Sequence, residues 1–166
     1  MQKQAQAQTQ SPSVTHATFT IERHYPAAPE RVFAAFADPR KKRRWFAEGN
    51  GHTLDSFECD FRVGGTEQLK GRLNESTPFP GVAVTNDTTY QDIVPNRRIV
   101  LAYTMTLGAR RISASLATFD LLPTGNGTTL VFTDQGAYFD GADGPQMREE
   151  GWSKHFEKLT AEMARQ

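Results

Sequence analysis

The chain alternates apolar and polar residues over several short runs, and each such run predicts a half-buried strand. The first run is residues 18–25, and the later runs are 55–63, 66–72, 82–94, 97–107, 110–122 and 128–135. The breaks between the later runs are short and rich in glycine, proline and asparagine. Successive short strands with tight breaks favour antiparallel pairing in one sheet.

Helical patterns occur in two places, one after the first strand and one at the end of the chain. The segment AAPERVFAAFADPRKKRRWF predicts two short helices, with Pro29 and Pro39 at their first positions and Asp38 as a cap. A long amphipathic helix is predicted from about Gly144 to Ala164, and Asp143 has the capping-box spacing to Gln146. Its apolar stripe is predicted to contain Met147, Trp152, Phe156, Leu159 and Met163.

These elements predict an α+β fold with six to seven antiparallel strands. A curved sheet of that size has a concave face to cover, and the last helix is long enough to cover it. The first fifteen residues, MQKQAQAQTQSPSVT, are glutamine-rich and contain no apolar run. We therefore expect a disordered tail over 1–15 and a single domain over 16–166.

Composition and charge exclude several classes of function. Lys plus Arg and Asp plus Glu both number 19, so no net field favours nucleic acid, and KKRR at 41–44 is interpreted as a solvated helix face. Cys59 lies between Phe57 and Phe61 and is expected to be a small buried hydrophobe. The four histidines are scattered and no phosphate-binding loop occurs, so we expect no metal and no cofactor. No stretch is long enough for membrane insertion, and we expect a cytoplasmic protein.

The last strand raises a specific question, because its alternation turns a carboxylate toward the core. Leu130 and Phe132 occupy one face, and the next residue on that face is Asp134. A buried carboxylate is costly unless it is hydrogen-bonded, paired or protonated. Asp134 is therefore predicted to lie at the polar end of a pocket.

The same alternation places other polar side chains on the inner faces of neighbouring strands. They are Glu67 in line with Leu69, Tyr103 in line with Leu101, and Arg111, Ser113 and Ser115 in line with Phe119. We expect these groups to meet Asp134 in one cluster, where Arg111 either holds an acid ionised or binds a ligand carboxylate. The aromatic residues Phe46, Trp152 and Phe156 are expected to line the pocket or to form plain core under the helix.

Several motifs in this order resemble the START-like, or helix-grip, superfamily, which is also called SRPBCC. They are APERVFAAFADP, RWF, DFRVGG, DIVPNRRIVLAYTM, RRISASLATFDL, GTTLVFTDQGAYFDG and REEGWSKHFEKL. Within the superfamily, the chain is similar to the family named after the C-terminal domain of the activator of heat-shock-protein-90 ATPase. The resemblance covers residues 18–164 and implies a cavity between the sheet and the long helix, which is a usual place for a small-molecule site.

Three functions are expected from these observations. The first is binding of a small hydrophobic or amphipathic ligand with one polar or anionic group. The second is a cofactor-free cyclase, dehydratase or hydrolase in which Asp134 and Glu67 act as general acid and base, although binding or a structural network is favoured over catalysis. The third and weakest is a chaperone-interaction module, after the family's namesake. A homodimer is left open.

Overall fold

The computed structural model describes residues 13–165, and over that range the chain forms seven strands, three α-helices and one π-helical turn. In chain order they are β1 (Val14–Tyr25), α1 (Pro29–Ala37), α2 (Pro39–Lys42), the π-helical turn (Arg43–Ala47), β2 (His52–Cys59), β3 (Thr66–Leu73), β4 (Ala83–Val94), β5 (Arg98–Leu107), β6 (Arg110–Thr124), β7 (Gly127–Phe139) and α3 (Pro145–Met163). The predicted α+β class, with two short helices after the first strand and a long C-terminal helix, is confirmed.

All seven strands belong to one antiparallel sheet in the order β1-β7-β6-β5-β4-β3-β2. Strands β2 to β6 each lie beside the strand that is next in the chain. The exception is β1, which pairs with β7, so the first and last strands of the domain are neighbours. Single extra residues interrupt the pairing at Asp55, Gln91 and Ile112. Such bulges bend a strand and increase its twist, which helps the sheet to curve around α3.

Helix α3 covers the inner face with a buried stripe that differs from the predicted one. Trp152, Phe156 and Leu159 are buried as expected, but the first member of the stripe is Arg148, whereas Met147 is 67% exposed. Positions 148, 152, 156 and 159 repeat every three to four residues, so they lie on one side of the helix. The predicted capping box does not form, because the helix begins at Pro145 without a side-chain cap and the Asp143 carboxylate binds Arg148 instead.

The KKRR segment is partly buried rather than a solvated face. Lys42 is 3% exposed, and Arg44 forms an ion pair with Glu162 of α3, with 2.5 Å between Nη2 and Oε1. Trp45, in the same π-helical turn, donates its indole hydrogen to the Ala35 carbonyl oxygen at 2.8 Å. The Arg44–Glu162 ion pair joins the π-helical turn to α3, and the Trp45–Ala35 hydrogen bond joins the same turn to α1.

Two predicted boundaries differ from the structure. Most of the predicted tail, 1–15, lies outside the described residues, but Val14 and Thr15 already belong to β1. The last strand, predicted over 128–135, extends to Phe139, which pairs with Val14, so Tyr138 is a buried strand residue. The connection to α3 is consequently short.

Candidate functional site

A buried polar cluster lies between the inner faces of β5, β6 and β7, the start of α3 and the residues just before that helix. We call it the Arg148 cluster; its members are Tyr103, Ser113, Ser115, Asp134, Asp143, Arg148 and Trp152. The strand residues are neighbours because the register pairs Tyr103 with Ser115, and Ala117 with Asp134. Asp134 is completely buried on the inner face, as the alternation of β7 predicted.

Arg148 makes four polar contacts through its two terminal nitrogens. Nη2 donates to Asp143 Oδ2 at 2.6 Å and to Ser113 Oγ at 2.7 Å. Nη1 donates to the Tyr103 hydroxyl at 3.0 Å and to Ser115 Oγ at the longer distance of 3.5 Å. The guanidinium carbon also lies 5.4 Å from the Tyr103 ring and 5.3 Å from the Tyr138 ring. The buried Arg148 guanidinium therefore has both an ion-pair partner and aromatic rings beside it, and these contacts offset the desolvation cost of burying its charge.

The Tyr103 hydroxyl is the centre of the cluster, and its hydrogen bonds have only one consistent direction. It accepts from Arg148 Nη1 at 3.0 Å and from Trp152 Nε1 at 3.1 Å, and neither of those groups can accept a hydrogen bond. The two lone pairs are then occupied, so the phenolic hydrogen must point to Asp134 Oδ2, 2.5 Å away. Burial, with Asp134 nearby, raises the pKa of Tyr103 well above its usual value, which keeps the phenol protonated.

Asp134 retains one free oxygen atom. Among residues 13–165, two buried side-chain polar atoms have no hydrogen-bond partner, and they are Asp134 Oδ1 and the Tyr138 hydroxyl. Burial raises the pKa of Asp134, although Tyr103 and Arg148 oppose that rise. Because Oδ2 must accept from Tyr103, a proton taken up by Asp134 resides on Oδ1. The site can thus accept a hydrogen bond at Oδ1 or donate one there, according to the protonation state of Asp134.

Arg111 does not belong to the cluster, and the expectation that it faces inward was wrong. The extra residue Ile112 in β6 makes Ile112 and Ser113 both buried, so alternation is broken between Ser113 and Arg111, and Arg111 is exposed. A bulge inverts the facing of every residue on its far side. Arg148 on α3 provides the guanidinium that sequence reasoning assigned to Arg111. The signal that indicates Arg148 is its helical spacing of four residues from Trp152.

Glu67 faces inward as expected, but it joins a second group of side chains. Lys42 Nζ donates to Glu67 Oε2 at 2.6 Å and to the Tyr90 hydroxyl at 3.0 Å, and Tyr90 also donates to Glu67. We call these three residues, with Cys59 at 3.6 Å from the Tyr90 oxygen, the Lys42 cluster. Burial raises the pKa of Cys59 to about 11, which makes it a poor nucleophile. Asp134 and Glu67 therefore sit in separate hydrogen-bonded groups rather than in one acid–base pair.

The three aromatic candidates lie together on the inner face beneath α3. The Trp152 ring is stacked on Phe46 and Phe156, with centroids 5.7 and 5.6 Å apart, and it contacts Phe132 at 4.6 Å. This packing fills the space between α3 and the β6–β7 half of the sheet. The inner face of β5 remains more open beyond Tyr103, because Met105 and Leu107 are only half-buried.

Two surface depressions lie on the other side of the sheet. One, of about 550 Å³, is lined by outward side chains that include Gln68, Asp87 and Thr104, and the other, of about 460 Å³, is lined by His16 and Leu116 among others. The lining of the first also includes Glu67, Tyr103 and Ser115, and that of the second includes Ser115, so both depressions reach residues of the buried clusters. In the described part of the chain, no group of three or more His, Cys, Asp or Glu side chains is placed to hold a metal ion. No helix within residues 13–165 is long and apolar enough to cross a bilayer.

A curved antiparallel sheet wrapped around one C-terminal helix, with a polar cluster between them, defines a helix-grip domain of the SRPBCC class. The sequence profile of the family described as "Activator of Hsp90 ATPase homolog 1-like protein" matches residues 26–164. The chain belongs to this family.

Solved structures of similar proteins support the same assignment. An uncharacterised protein from Rhizobium leguminosarum is 38% identical, with a TM-score of 0.87 over 94% of this chain and 99% of that one. The Mll3558 protein from Rhizobium loti is 49% identical, with a TM-score of 0.80 over 90% and 99% of the two chains. The CV1439 protein from Chromobacterium violaceum is 27% identical, with a TM-score of 0.69 over 87% and 96%. No curated protein matches the chain.

Proposed function

We propose that this domain binds a small, largely apolar molecule on the inner face of its sheet, with the polar end of the molecule at the Arg148 cluster. The observation that carries the proposal is Asp134 Oδ1, a fully buried oxygen that has no partner within the described residues. Buried polar atoms are almost always hydrogen-bonded, because an unpaired one retains its full desolvation cost. A ligand that bonds Oδ1 would remove that cost.

Apolar surface adjoins the cluster along β5 and supports the same proposal. Met105 follows Tyr103 on the inner face, and both Met105 and Leu107 are half-buried. A ligand lying along this face would bury their apolar area while its polar end reaches Asp134. Because Asp134 itself is fully buried, the side chains that cover it must move during binding, and we expect Trp152 to be one of them.

The alternatives receive less support from the geometry. A cyclase, dehydratase or hydrolase with two carboxylates around one substrate needs them to face a shared space, whereas Asp134 and Glu67 are engaged in different clusters. A chaperone-interaction module, a function suggested by the description of the family, would use a contiguous exposed apolar patch. Of the large exposed apolar side chains in the described residues, Leu116 and Leu122 share strand β6, and the others lie on separate segments: Val14, Val63, Phe79 and Met147.

The two tryptophans offer a test that also locates the ligand. The Trp152 indole hydrogen bonds Tyr103 inside the cluster, and the Trp45 indole hydrogen bonds the Ala35 carbonyl oxygen in the core. We would titrate ¹⁵N-labelled protein with naphthalene and follow both indole signals. A saturable shift of the Trp152 signal with the Trp45 signal unmoved is expected. No saturable shift with any member of an aromatic and aliphatic panel, or shifts confined to outer-face residues such as Leu116, would contradict the proposal.

A further inference from the structure

The hydrogen bonding of the Arg148 cluster also indicates which polar group the ligand carries. We infer that the ligand is an apolar alcohol or phenol, whose uncharged hydroxyl bonds Asp134 Oδ1, and not a carboxylate or another anion. This inference rests on the proposed function and narrows it. It departs from the simpler expectation that a buried arginine in such a site serves to bind an anion.

Arg148 is not available to an anion, because both its charge and its terminal nitrogens are already engaged. The Asp143 carboxylate lies 2.6 Å from Nη2, and the two side chains are only 6% and 12% exposed. Ser113, Ser115 and Tyr103 take the remaining contacts of Nη1 and Nη2. An incoming carboxylate would either displace Asp143 or bring a third acidic group to one guanidinium that already neighbours two.

The group left available to a ligand is the carboxyl oxygen Asp134 Oδ1, and not the cationic guanidinium of Arg148. Tyr103 has both lone pairs occupied and gives its hydrogen to Oδ2, so Asp134 Oδ1 is the one oxygen of the Arg148 cluster that has no hydrogen-bond partner among the described residues. The Tyr138 hydroxyl, whose ring lies on the Arg148 guanidinium, is the second unpaired group, and it can donate or accept. An ionised Asp134 accepts at Oδ1 and repels an anion, whereas a protonated Asp134 donates there. A hydroxyl is both donor and acceptor, so it fits either state. An ether or ketone fits only the protonated acid.

Three ligands of similar size separate these preferences: naphthalene, 1-naphthol and 1-naphthoate. Their affinities would be measured by isothermal titration calorimetry at neutral pH, with the Trp152 indole signal confirming the site. Because one hydrogen bond to a charged group can contribute about 1.4 kcal/mol, which corresponds to tenfold in affinity, we expect 1-naphthol to bind about tenfold more tightly than naphthalene. We expect 1-naphthoate to bind more weakly than either.

A carboxylate also binds apolar pockets weakly for reasons unrelated to Arg148, and the variant Asp143→Asn controls for this. Asparagine keeps an oxygen that accepts from Arg148 but removes the negative charge, so the guanidinium is no longer neutralised. The 1-naphthoate affinity of Asp143→Asn should rise about tenfold or more, while 1-naphthol changes by less than about threefold. If the bound ligand does not interact with the charge of Arg148, both 1-naphthoate and 1-naphthol will bind Asp143→Asn with their wild-type affinities.

The possible outcomes are distinct. Tighter binding of 1-naphthoate than of 1-naphthol to the wild-type protein overturns the hydroxyl assignment and leaves the proposed function standing. An unchanged 1-naphthoate affinity in folded Asp143→Asn protein likewise overturns the role given to Asp143. If none of the three ligands shifts the Trp152 signal, the proposed function fails and this inference fails with it.

Discussion

Replacing Tyr103 by phenylalanine tests whether its hydroxyl holds the Arg148 cluster together. The substitution keeps the ring, which is 3% exposed, and removes a single oxygen. That oxygen joins the Arg148 guanidinium, the Trp152 indole and the Asp134 carboxyl group. Its loss leaves Asp134 with no partner at either oxygen among the described residues, since Oδ1 already lacks one.

The expected loss of stability follows from the types of bond removed. Two of the three hydrogen bonds involve an ionisable group, each worth about 1.5–3 kcal/mol, and the third, from the neutral Trp152 indole, is worth about 0.5–1.5 kcal/mol. We therefore expect Tyr103→Phe to lower the free energy of unfolding by about 4 kcal/mol. With a urea m-value of about 2 kcal/mol/M, the unfolding midpoint should fall by about 2 M.

Tyr25→Phe is the matched control. Tyr25 is equally buried, but its hydroxyl makes a hydrogen bond to the neutral Phe156 carbonyl oxygen, at 3.1 Å. Removing that hydroxyl should cost about 1 kcal/mol. Both variants would be measured by urea denaturation followed by circular dichroism, with equal m-values required before midpoints are compared. If Tyr103→Phe costs no more than Tyr25→Phe, the hydroxyl is not the centre of a coupled network and the reasoning is refuted.

Three further outcomes are expected. Gly151→Ala should stabilise the protein by about 0.5–1 kcal/mol, because the added methyl meets open space in the middle of α3, and a lower melting temperature would contradict this. Lys42→Met should cost about 3–5 kcal/mol by stranding Glu67, and Lys42→Met combined with Glu67→Gln should recover much of that loss in a double-mutant cycle. Burial raises the pKa of Asp134, so the folded state retains a proton that the unfolded chain releases. Wild-type stability should therefore fall as pH rises from near 3.8 through the folded pKa, and Asp134→Asn should lack that component in urea unfolding series.

The fold could be predicted from the sequence because its elements have strong local signals. Alternation marked the strands, proline and aspartate marked the short helices, and the aromatic spacing of Trp152 and Phe156 marked the side of α3 that is buried. The facing of Asp134 was predictable for the same reason, since β7 pairs with both neighbours without a register shift. The alternation of side chains along a strand predicts which residues face inward when the hydrogen-bonded pairing of the strands has no bulge.

The partners of the buried acids could not be predicted, and each failure has its own physical cause. Ile112 is an extra residue in β6, and nothing in a string of alternating residues shows where a bulge will fall, so Arg111 was assigned to the wrong face. Lys42 belongs to a run of five basic residues, Arg40 to Arg44, that is typical of a solvated face, yet it pairs with Glu67 across the fold. Arg148 is followed by two glutamates and looks like part of a charged helix surface. Long cationic side chains are buried when a distant carboxyl group or hydroxyl receives them, which is a tertiary property.

The most direct test of the account is a crystal structure of the protein with 1-naphthol bound. The account predicts the naphthalene ring against the inner face of β5 near Met105, with the hydroxyl oxygen about 2.7 Å from Asp134 Oδ1 and Asp143 still bound to Arg148. A ring found in either depression on the outer face of the sheet would contradict it. So would a hydroxyl group bound to Arg148 in place of Asp143.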